Sequence, residues 1–97
     1  MSITFVGDEC VYLPARDAIK IKAVDGERVI DCHVTRSALD ALGCPDDDGP
    51  DLIRYFRRER DTVEIAAMVK YRRAFAPKME INVEAADLAC VLPAAAA

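Results

Sequence analysis

The chain has 97 residues, a net charge of −4 at pH 7 and an apolar content of 53%. So high an apolar fraction with so small a net charge excludes a disordered chain, and the length allows one folded domain with a modest core. We therefore expect a single domain over residues 1–97, with an ordered core at about 3–92 and a mobile alanine tail at 93–97.

Neither a membrane span nor a secretion signal is predicted. The longest apolar run, Leu88 to Ala97, has ten residues and contains Pro93, whereas a membrane helix needs about 20. Asp8 and Glu9 lie where a signal peptide is uncharged, and no basic stretch precedes an apolar one. We therefore expect a cytoplasmic protein without disulfides. The four cysteines are Cys10, Cys32, Cys44 and Cys90.

The N-terminal half of the chain is predicted to be strands. The first is Ile3–Val6, and a further strand segment at Cys10–Leu13 ends before a proline. Residues 18–24 and 28–34 then alternate between apolar and polar side chains, which is the period of half-buried strands. The intervening Asp25-Gly26 suits a type I′ turn, whose central residues both need positive φ, so these two strands are predicted to form a hairpin.

The alternation assigns each hairpin side chain to one face of the sheet. Those predicted to face the core are Ile19, Ile21, Ala23, Ile30, Cys32 and Val34. Those predicted to face outward are Lys20, Lys22, Val29, Asp31 and His33.

Helical periodicity follows the hairpin. Thr35 is a suitable N-cap for a short helix over Arg36–Leu42, and Gly43 stands where a left-handed residue would end it. Pro50 opens the longest helix, which is predicted to run to Arg73. One stripe of this helix is predicted to cover the sheet. It consists of Leu52, Phe56, Val63, Ala66 and Ala67.

A strand at Met79–Val83 and a helical turn at Ala85–Leu88 complete the chain. The order of elements is strand, hairpin, two helices and strand. It predicts an α+β fold in two layers, in which a mostly antiparallel sheet of three to four strands carries one short and one long helix on one face.

The run AVDGERVIDCHVTRSALDAL is followed about a dozen residues later by FRRERDTVEIAAMV. Together they resemble the domain of unknown function 1488 family, which includes the YrdB-like small bacterial proteins. The resemblance covers roughly residues 3–84, and it implies a small stand-alone cytoplasmic α+β protein of bacterial origin with no established activity and no catalytic residue to carry over. The chain departs from the family pattern at Ala38, where an acid is common, and in its extended apolar C-terminus. The matching positions are Asp25, Gly26, Cys32, Thr35, Leu39, Phe56, Arg57 and Arg60.

Cysteine and histidine are the first candidates for chemistry. Cys32 and His33 are adjacent in a strand and so point to opposite faces, which prevents them from binding one ion together. Cys32 is expected to be a buried apolar residue, and Cys44, expected to be exposed in the loop before the long helix, is the better candidate for a redox role. His33, the single histidine, is expected on the outward face near Asp31, as a candidate base or pH-dependent charge.

Other catalytic or ligand-binding patterns fail on spacing. A nucleophilic set of Ser37 and His33 with Asp31 or Asp40 has no nucleophile-elbow glycines around the serine. The acids of residues 46–48 do not continue into the ligand pattern of a calcium loop and are expected to favour the helix N-terminus. We therefore predict no catalytic, metal-binding or cofactor-binding residue and a non-enzymatic protein.

The long helix carries a second apolar strip, roughly opposite the sheet-facing stripe. The strip consists of Ile65, Met68 and Val69. Its partner is either a second copy of the chain, which would give a homodimer centred on these residues, or the short helix or the segment Leu88–Leu92 of the same chain. The leading hypothesis is a protein-interaction module that forms a homodimer.

The charge is distributed unevenly. Residues 54–73 contain seven basic and three acidic side chains, a local charge of +4, whereas residues 1–53 contain five basic and eleven acidic ones, a local charge of −6. The alternative hypothesis is therefore a small nucleic-acid-binding protein, with arginines on phosphates and Tyr55 or Tyr71 stacking on bases. The acidic chain and the i, i+4 partners of two of the arginines argue against it. The candidate contacts are Arg54, Arg57, Arg58, Arg60, Arg72 and Arg73.

Overall fold

The computed structural model of the chain describes residues 3–7, 9–44, 49–73 and 80–89. The expectations for Met79, the acids of 46–48, Cys90 and the tail at 93–97 lie outside the described residues. The strands are β1 (Thr4–Phe5), β2 (Val11–Leu13), β3 (Ala18–Asp25), β4 (Arg28–Thr35) and β5 (Glu80–Val83). The helices are α1 (Arg36–Ala41), α2 (Pro50–Arg73) and α3 (Ala85–Ala89).

The strands form one sheet in the order β1-β3-β4-β5, and β2 also pairs with β3. β1 and β2 lie one after the other along β3, because Thr4 is opposite Val24 and Val11 is opposite Lys20. All of these pairs are antiparallel except β4 with β5, which is parallel. The prediction of an α+β fold with a mostly antiparallel sheet is therefore confirmed.

The turn of the β3–β4 hairpin differs from the prediction by one residue. Asp25 is paired with Arg28, so the two loop residues are Gly26 and Glu27. Only Gly26 has a positive φ, of +64°. A glycine at the first central position with an ordinary second residue is the pattern of a type II′ turn, so the predicted type I′ turn at Asp25-Gly26 is wrong.

The faces predicted for the hairpin are confirmed on the core side. The six side chains predicted to face inward are all at most 1% exposed. The stripe of α2 packs on them, and its central residue Phe56 is fully buried. Leu39 of α1 and Leu88 of α3 belong to the same core cluster. All three helices therefore cover one face of the sheet, and the other face, here called the open face, carries no helix among the described residues.

The predicted N-cap of α1 and the left-handed glycine after it are confirmed, although the helix ends at Ala41, one residue before the predicted Leu42. The Thr35 hydroxyl accepts a hydrogen bond from the Ala38 amide at 3.4 Å, as an N-cap does. At the other end Gly43 has a φ of +83°. The Cys44 amide donates to Leu39 at 3.0 Å and the Gly43 amide donates to Asp40 at 3.0 Å, the bond pattern of a Schellman motif.

No helix in the described ranges is both long enough and apolar enough to span a membrane.

Phe56→Ala is expected to lower the free energy of unfolding by about 3–5 kcal/mol, because it removes a fully buried ring between α2 and the sheet. Urea denaturation followed by circular dichroism measures this loss. The control is Arg58→Ala, an exposed position in the same helix, where a change within about 0.5 kcal/mol is expected. Equal effects of the two substitutions would contradict the placement of the core.

Candidate functional site

The outer face of α2 carries the predicted apolar strip. Ile65 is 50% exposed, whereas Met68 packs partly against the core and Val69 is half-buried. At 100° per residue Met68 lies about 60° to one side of Ile65 and Val69 about 40° to the other. The strip therefore runs across the helix, with its most exposed side chain in the middle.

The two flanks of the strip are bordered differently. Val69 lines a small cavity with Ala66, Lys70 and Arg73, which Asp87 of α3 closes on one side. α3 thus approaches the strip on the Val69 side through Asp87, which belongs to neither the short helix nor the segment Leu88–Leu92, and Ile65 keeps its exposure.

On the Met68 side, a groove of about 670 Å³ separates α2 from β1. The groove is shallow and mixed in character, and it contains the side chains of two arginines and two acids. Its lining residues are Thr4, Phe5, Gly7, Arg57, Arg60, Asp61, Glu64 and Met68.

Arg60 differs from the prediction. The sequence made it a candidate phosphate contact, which needs an exposed side chain, but it is only 9% exposed. Its Nε donates to Glu64 at 2.8 Å, while Nη1 and Nη2 donate to the carbonyl oxygens of Glu9 at 3.2 Å and Gly7 at 3.0 Å. The guanidinium therefore ties the segment after β1 to α2. The Glu64 pairing was visible in the sequence, but two main-chain acceptors more than fifty positions away leave no signal in it.

The other five candidate arginines are exposed on α2. Arg54 forms an ion pair of 3.3 Å with Asp51. The two tyrosines expected to stack on bases are not equally placed. Tyr71 is 5% exposed and donates to Asp25 at 2.6 Å, so the expectation that its ring is open for stacking is wrong. Tyr55 is half-buried and packs against the core. The five exposed arginines are Arg54, Arg57, Arg58, Arg72 and Arg73.

His33 is on the open face, as its position in β4 predicts, but its ring is buried there. It is 6% exposed, and its Nδ1 lies 3.1 Å from Arg16 Nη1 and 3.1 Å from Glu80 Oε1. Arg16 also forms an ion pair with Glu80. Burial, followed by the positive charge of Arg16, lowers the pKa of His33 below its usual range. No pattern in the sequence indicates this cluster, because its members come from a turn, β4 and β5.

A second polar cluster fixes the turn at residues 14–17. Asp17 has a positive φ of 49° and accepts hydrogen bonds from Tyr12 Oη at 2.7 Å and Arg36 Nη2 at 2.9 Å. The hydrogen bonds from Arg36 hold the pKa of the Asp17 carboxyl below its usual value. Since Arg36 is the first residue of α1, this cluster joins the turn to the helix layer.

The thiol candidates are buried. Cys32 is fully buried as predicted, and burial raises its pKa to about 12. Cys44 is 8% exposed, so the predicted exposed loop cysteine is wrong, and burial raises its pKa to about 11. The physical reason is the Schellman motif, in which the residue after Gly43 packs back on the last turn of α1, here on the side of Leu39.

The remaining catalytic candidates have structural partners. The Ser37 hydroxyl lies 3.0 Å from that of Thr35 and accepts a hydrogen bond from the Ala85 amide at 3.3 Å, so it links the start of α1 to α3. Among the described residues, no group of three or more histidine, cysteine, aspartate or glutamate side chains is arranged to hold a metal ion.

Comparison with known proteins identifies relatives at the level of sequence and fold. A family model described as "Protein of unknown function (DUF1488)" matches residues 3–83. The crystal structure, at 1.60 Å resolution, of a protein of unknown function from this family from Shewanella loihica PV-4 is similar, with a TM-score of 0.69 and 25% identity. The match covers 86% of this chain and 92% of that chain. No curated protein matches the sequence.

Native Cys32 and Cys44 are expected to resist alkylation. For Cys44, a rise in pKa from 9.0 to about 11 lowers the thiolate fraction about a hundredfold at neutral pH. Mass spectrometry after timed treatment with iodoacetamide measures the rate at each cysteine. Cys10, which is only half-buried, serves as the internal control, and denatured protein should react at every site. A native Cys44 that reacts as fast as Cys10 would contradict its burial.

Proposed function

This chain belongs to the DUF1488 family, and we propose that it acts as a non-enzymatic protein-interaction module that self-associates through the outer face of α2. The observation that carries the proposal is the exposure of Ile65. It is a large apolar side chain, 50% exposed, at the centre of the outer helix face, with Met68 and Val69 half-buried beside it. Water contact with this surface is unfavourable, and a partner would remove it.

The surroundings of the strip have the composition of an interface. Protein interfaces combine an apolar centre with a polar rim, and arginine is enriched in them. Here Arg58 and Arg72 are exposed, each seven positions from Ile65 along the helix. An apolar centre with a rim of arginines therefore supports docking of a protein surface on this face.

A second copy of the chain is the simplest partner for such a strip. In a two-fold dimer the same patch meets itself, so an apolar strip crossing its own copy is self-complementary. Side chains at i, i+3 and i+4, such as Ile65, Met68 and Val69, form the ridges by which helices pack. The strip is short, and we therefore propose a weak, concentration-dependent dimer rather than an obligate one.

The proposal that the protein is not an enzyme is supported by the burial of its reactive side chains. The thiols of Cys32 and Cys44 are buried with raised pKa values, which suppresses the nucleophilic thiolate. The His33 ring is buried against two charged partners.

Ile65→Asp is expected to weaken self-association about tenfold or more, which corresponds to 1.4 kcal/mol, because it places a charge at the centre of the contact. Sedimentation equilibrium across low to high micromolar concentration measures the dissociation constant. The matched control is Val29→Asp, since Val29 is 49% exposed but lies on the open face of the sheet. A wild-type protein that stays monomeric throughout this range contradicts the proposal. Equal effects of the two variants contradict the location of the interface.

The alternative function is nucleic-acid binding by the same helix. Its supporting observation is that five of the six candidate arginines are exposed on α2. Arginines placed along a helix can neutralise successive phosphates without base-specific contacts. Because Arg60 is buried, the basic surface is smaller than the sequence indicated. The burial of Tyr71 also removes one of the two candidate rings for stacking on bases.

The effect of salt on dimerisation and on nucleic-acid binding is expected to distinguish the two proposed functions. In an antiparallel pair of α2 helices centred on Ile65, Arg58 of one copy approaches Arg72 of the other, so added salt should screen their repulsion and strengthen the dimer. Binding to nucleic acid should instead weaken with salt, because phosphate contacts release counterions. Sedimentation and a gel-shift titration over the same salt series measure both. Absence of any gel shift at low salt removes the alternative, and a dimer that weakens with salt contradicts the proposed contact of Arg58 and Arg72.

A further inference from the structure

The open face of the sheet contains a buried histidine. His33 lies in the middle of β4, opposite Lys20 of β3 and Asn82 of β5. Lys20 is half-buried and Asn82 is exposed, as expected for a face without helices, but His33 is 6% exposed. Ala18, on the same face, is also buried and lies outside the core cluster. The turn at residues 14–17 therefore covers this end of the face, and Arg16 from the turn contacts the His33 ring.

One nitrogen of His33 has two neighbours of opposite charge. Nδ1 is 3.1 Å from Arg16 Nη1 and 3.1 Å from Glu80 Oε1. A guanidinium only donates hydrogen bonds, and a carboxylate only accepts them. Nδ1 therefore accepts from Arg16 when it carries no proton and donates to Glu80 when it carries one. The two hydrogen bonds exclude each other, and the proton decides between them.

We propose that Arg16, His33 and Glu80 form a proton-controlled latch, in which neutral His33 holds Arg16 and its turn on the open face and protonated His33 releases them. In the closed state Arg16 bridges Nδ1 of His33 and the carboxylate of Glu80. When His33 takes a proton from solvent at Nδ1, that N–H donates to Glu80. Arg16 then loses its acceptor on the ring and faces a second positive charge. Its remaining partner is an exposed carboxylate, which holds an arginine weakly in water.

The groups around His33 keep the latch closed at neutral pH. Burial lowers the pKa of His33 most, followed by the charge of Arg16, and Lys20 acts in the same direction. Glu80 and Asp31 act in the opposite direction. Since the folded state binds this proton less readily than the unfolded chain, neutral His33 contributes stability above about pH 6.5. That contribution is lost as the pH falls through the folded pKa. Arg16 also lowers the pKa of Glu80, so the carboxylate stays charged across this interval.

The movement is confined to one end of the turn. Asp17, next to Arg16, accepts hydrogen bonds from Tyr12 at 2.7 Å and from Arg36 at 2.9 Å, and these two bonds do not involve the His33 ring. The hydrogen bond to Asp17 raises the pKa of Arg36 above its usual range, and Asp17 has a lowered pKa, so both groups stay charged while His33 titrates. The anchor at Asp17 therefore does not open with the latch, and the released part is the side of the turn that carries Arg16.

Nuclear magnetic resonance tests the latch directly, because the chain has a single histidine. At neutral pH the nitrogen signals of the ring are expected to show Nδ1 without a proton. As the pH is lowered, the amide signals of residues 15–17 are expected to shift with the same midpoint as the ring. A ring with Nδ1 protonated at neutral pH, or turn amides that do not follow the ring, would overturn the proposal.

Variants at the two partners are expected to move the midpoint in opposite directions. Arg16→Gln removes a positive charge beside the ring and should raise the midpoint of His33, and the turn amides should no longer follow it. Glu80→Gln removes the negative charge that stabilises the protonated ring, and its neutral amide oxygen is a weaker acceptor, so the midpoint should fall. The control is Lys22→Gln, which removes a positive charge from the open face at a position paired with Asp31 rather than with His33. A control that shifts the midpoint as much as Arg16→Gln would show a general charge effect and would overturn the specific latch.

Discussion

The register of the β3–β4 hairpin is the constraint on which the rest of the molecule depends. Eight residue pairs, from Ala18 with Thr35 to Asp25 with Arg28, are closed by a two-residue turn at Gly26-Glu27. Because side chains alternate along a strand, a slip of one residue would turn Ile30, Cys32 and Val34 to water and His33 into the core. The left-handed φ of Gly26 fits this tight turn, so a single glycine helps to decide which face of the sheet α2 can cover. The helix layer, the open face and the positions of the polar clusters all follow from that choice.

The parallel strand β5 brings further polar side chains to the open face of the sheet, next to those of β4. Its register places Glu80 beside Asp31 and Asn82 beside His33, on the open face, while Ile81 and Val83 enter the core. The connection from β4 to β5 contains both α1 and α2, so the chain passes through the helix layer before it returns to the sheet. A carboxylate from residue 80 and a guanidinium from residue 16 thereby meet over one ring of β4. Residues from three distant parts of the sequence share an environment that none of them indicates alone.

The features that could be predicted from the sequence are those set by neighbours along the chain. Alternation identified the inward residues of the hairpin, 3.6-residue periodicity identified the Phe56 stripe, and Thr35 and Gly43 marked the ends of α1 because capping is a local interaction. The burial of His33, Tyr71 and Arg60 was missed because each has a hydrogen-bond partner 17 to 53 positions away in the chain, and the distant partners of Arg60 are main-chain carbonyls. The burial of Cys44 is a local feature, because the Schellman motif at Gly43 returns the next residue to the core. The glycine was identified in the sequence, but its effect on Cys44 was not predicted. Periodicity identified the outer strip of α2, but periodicity carries no information about what, if anything, binds there.

The bridge made by Arg60 bears on the order in which the chain can acquire its structure. Its two main-chain acceptors, at Gly7 and Glu9, are synthesised 53 and 51 residues before the guanidinium that binds them. Glu64, which orients that guanidinium, emerges later still. During synthesis these two carbonyls therefore lack their hydrogen bonds to Arg60 until the middle of α2 has left the ribosome. The segment after the first strand is made early, yet its link to the helix layer can form only when more than half of the chain has been synthesised.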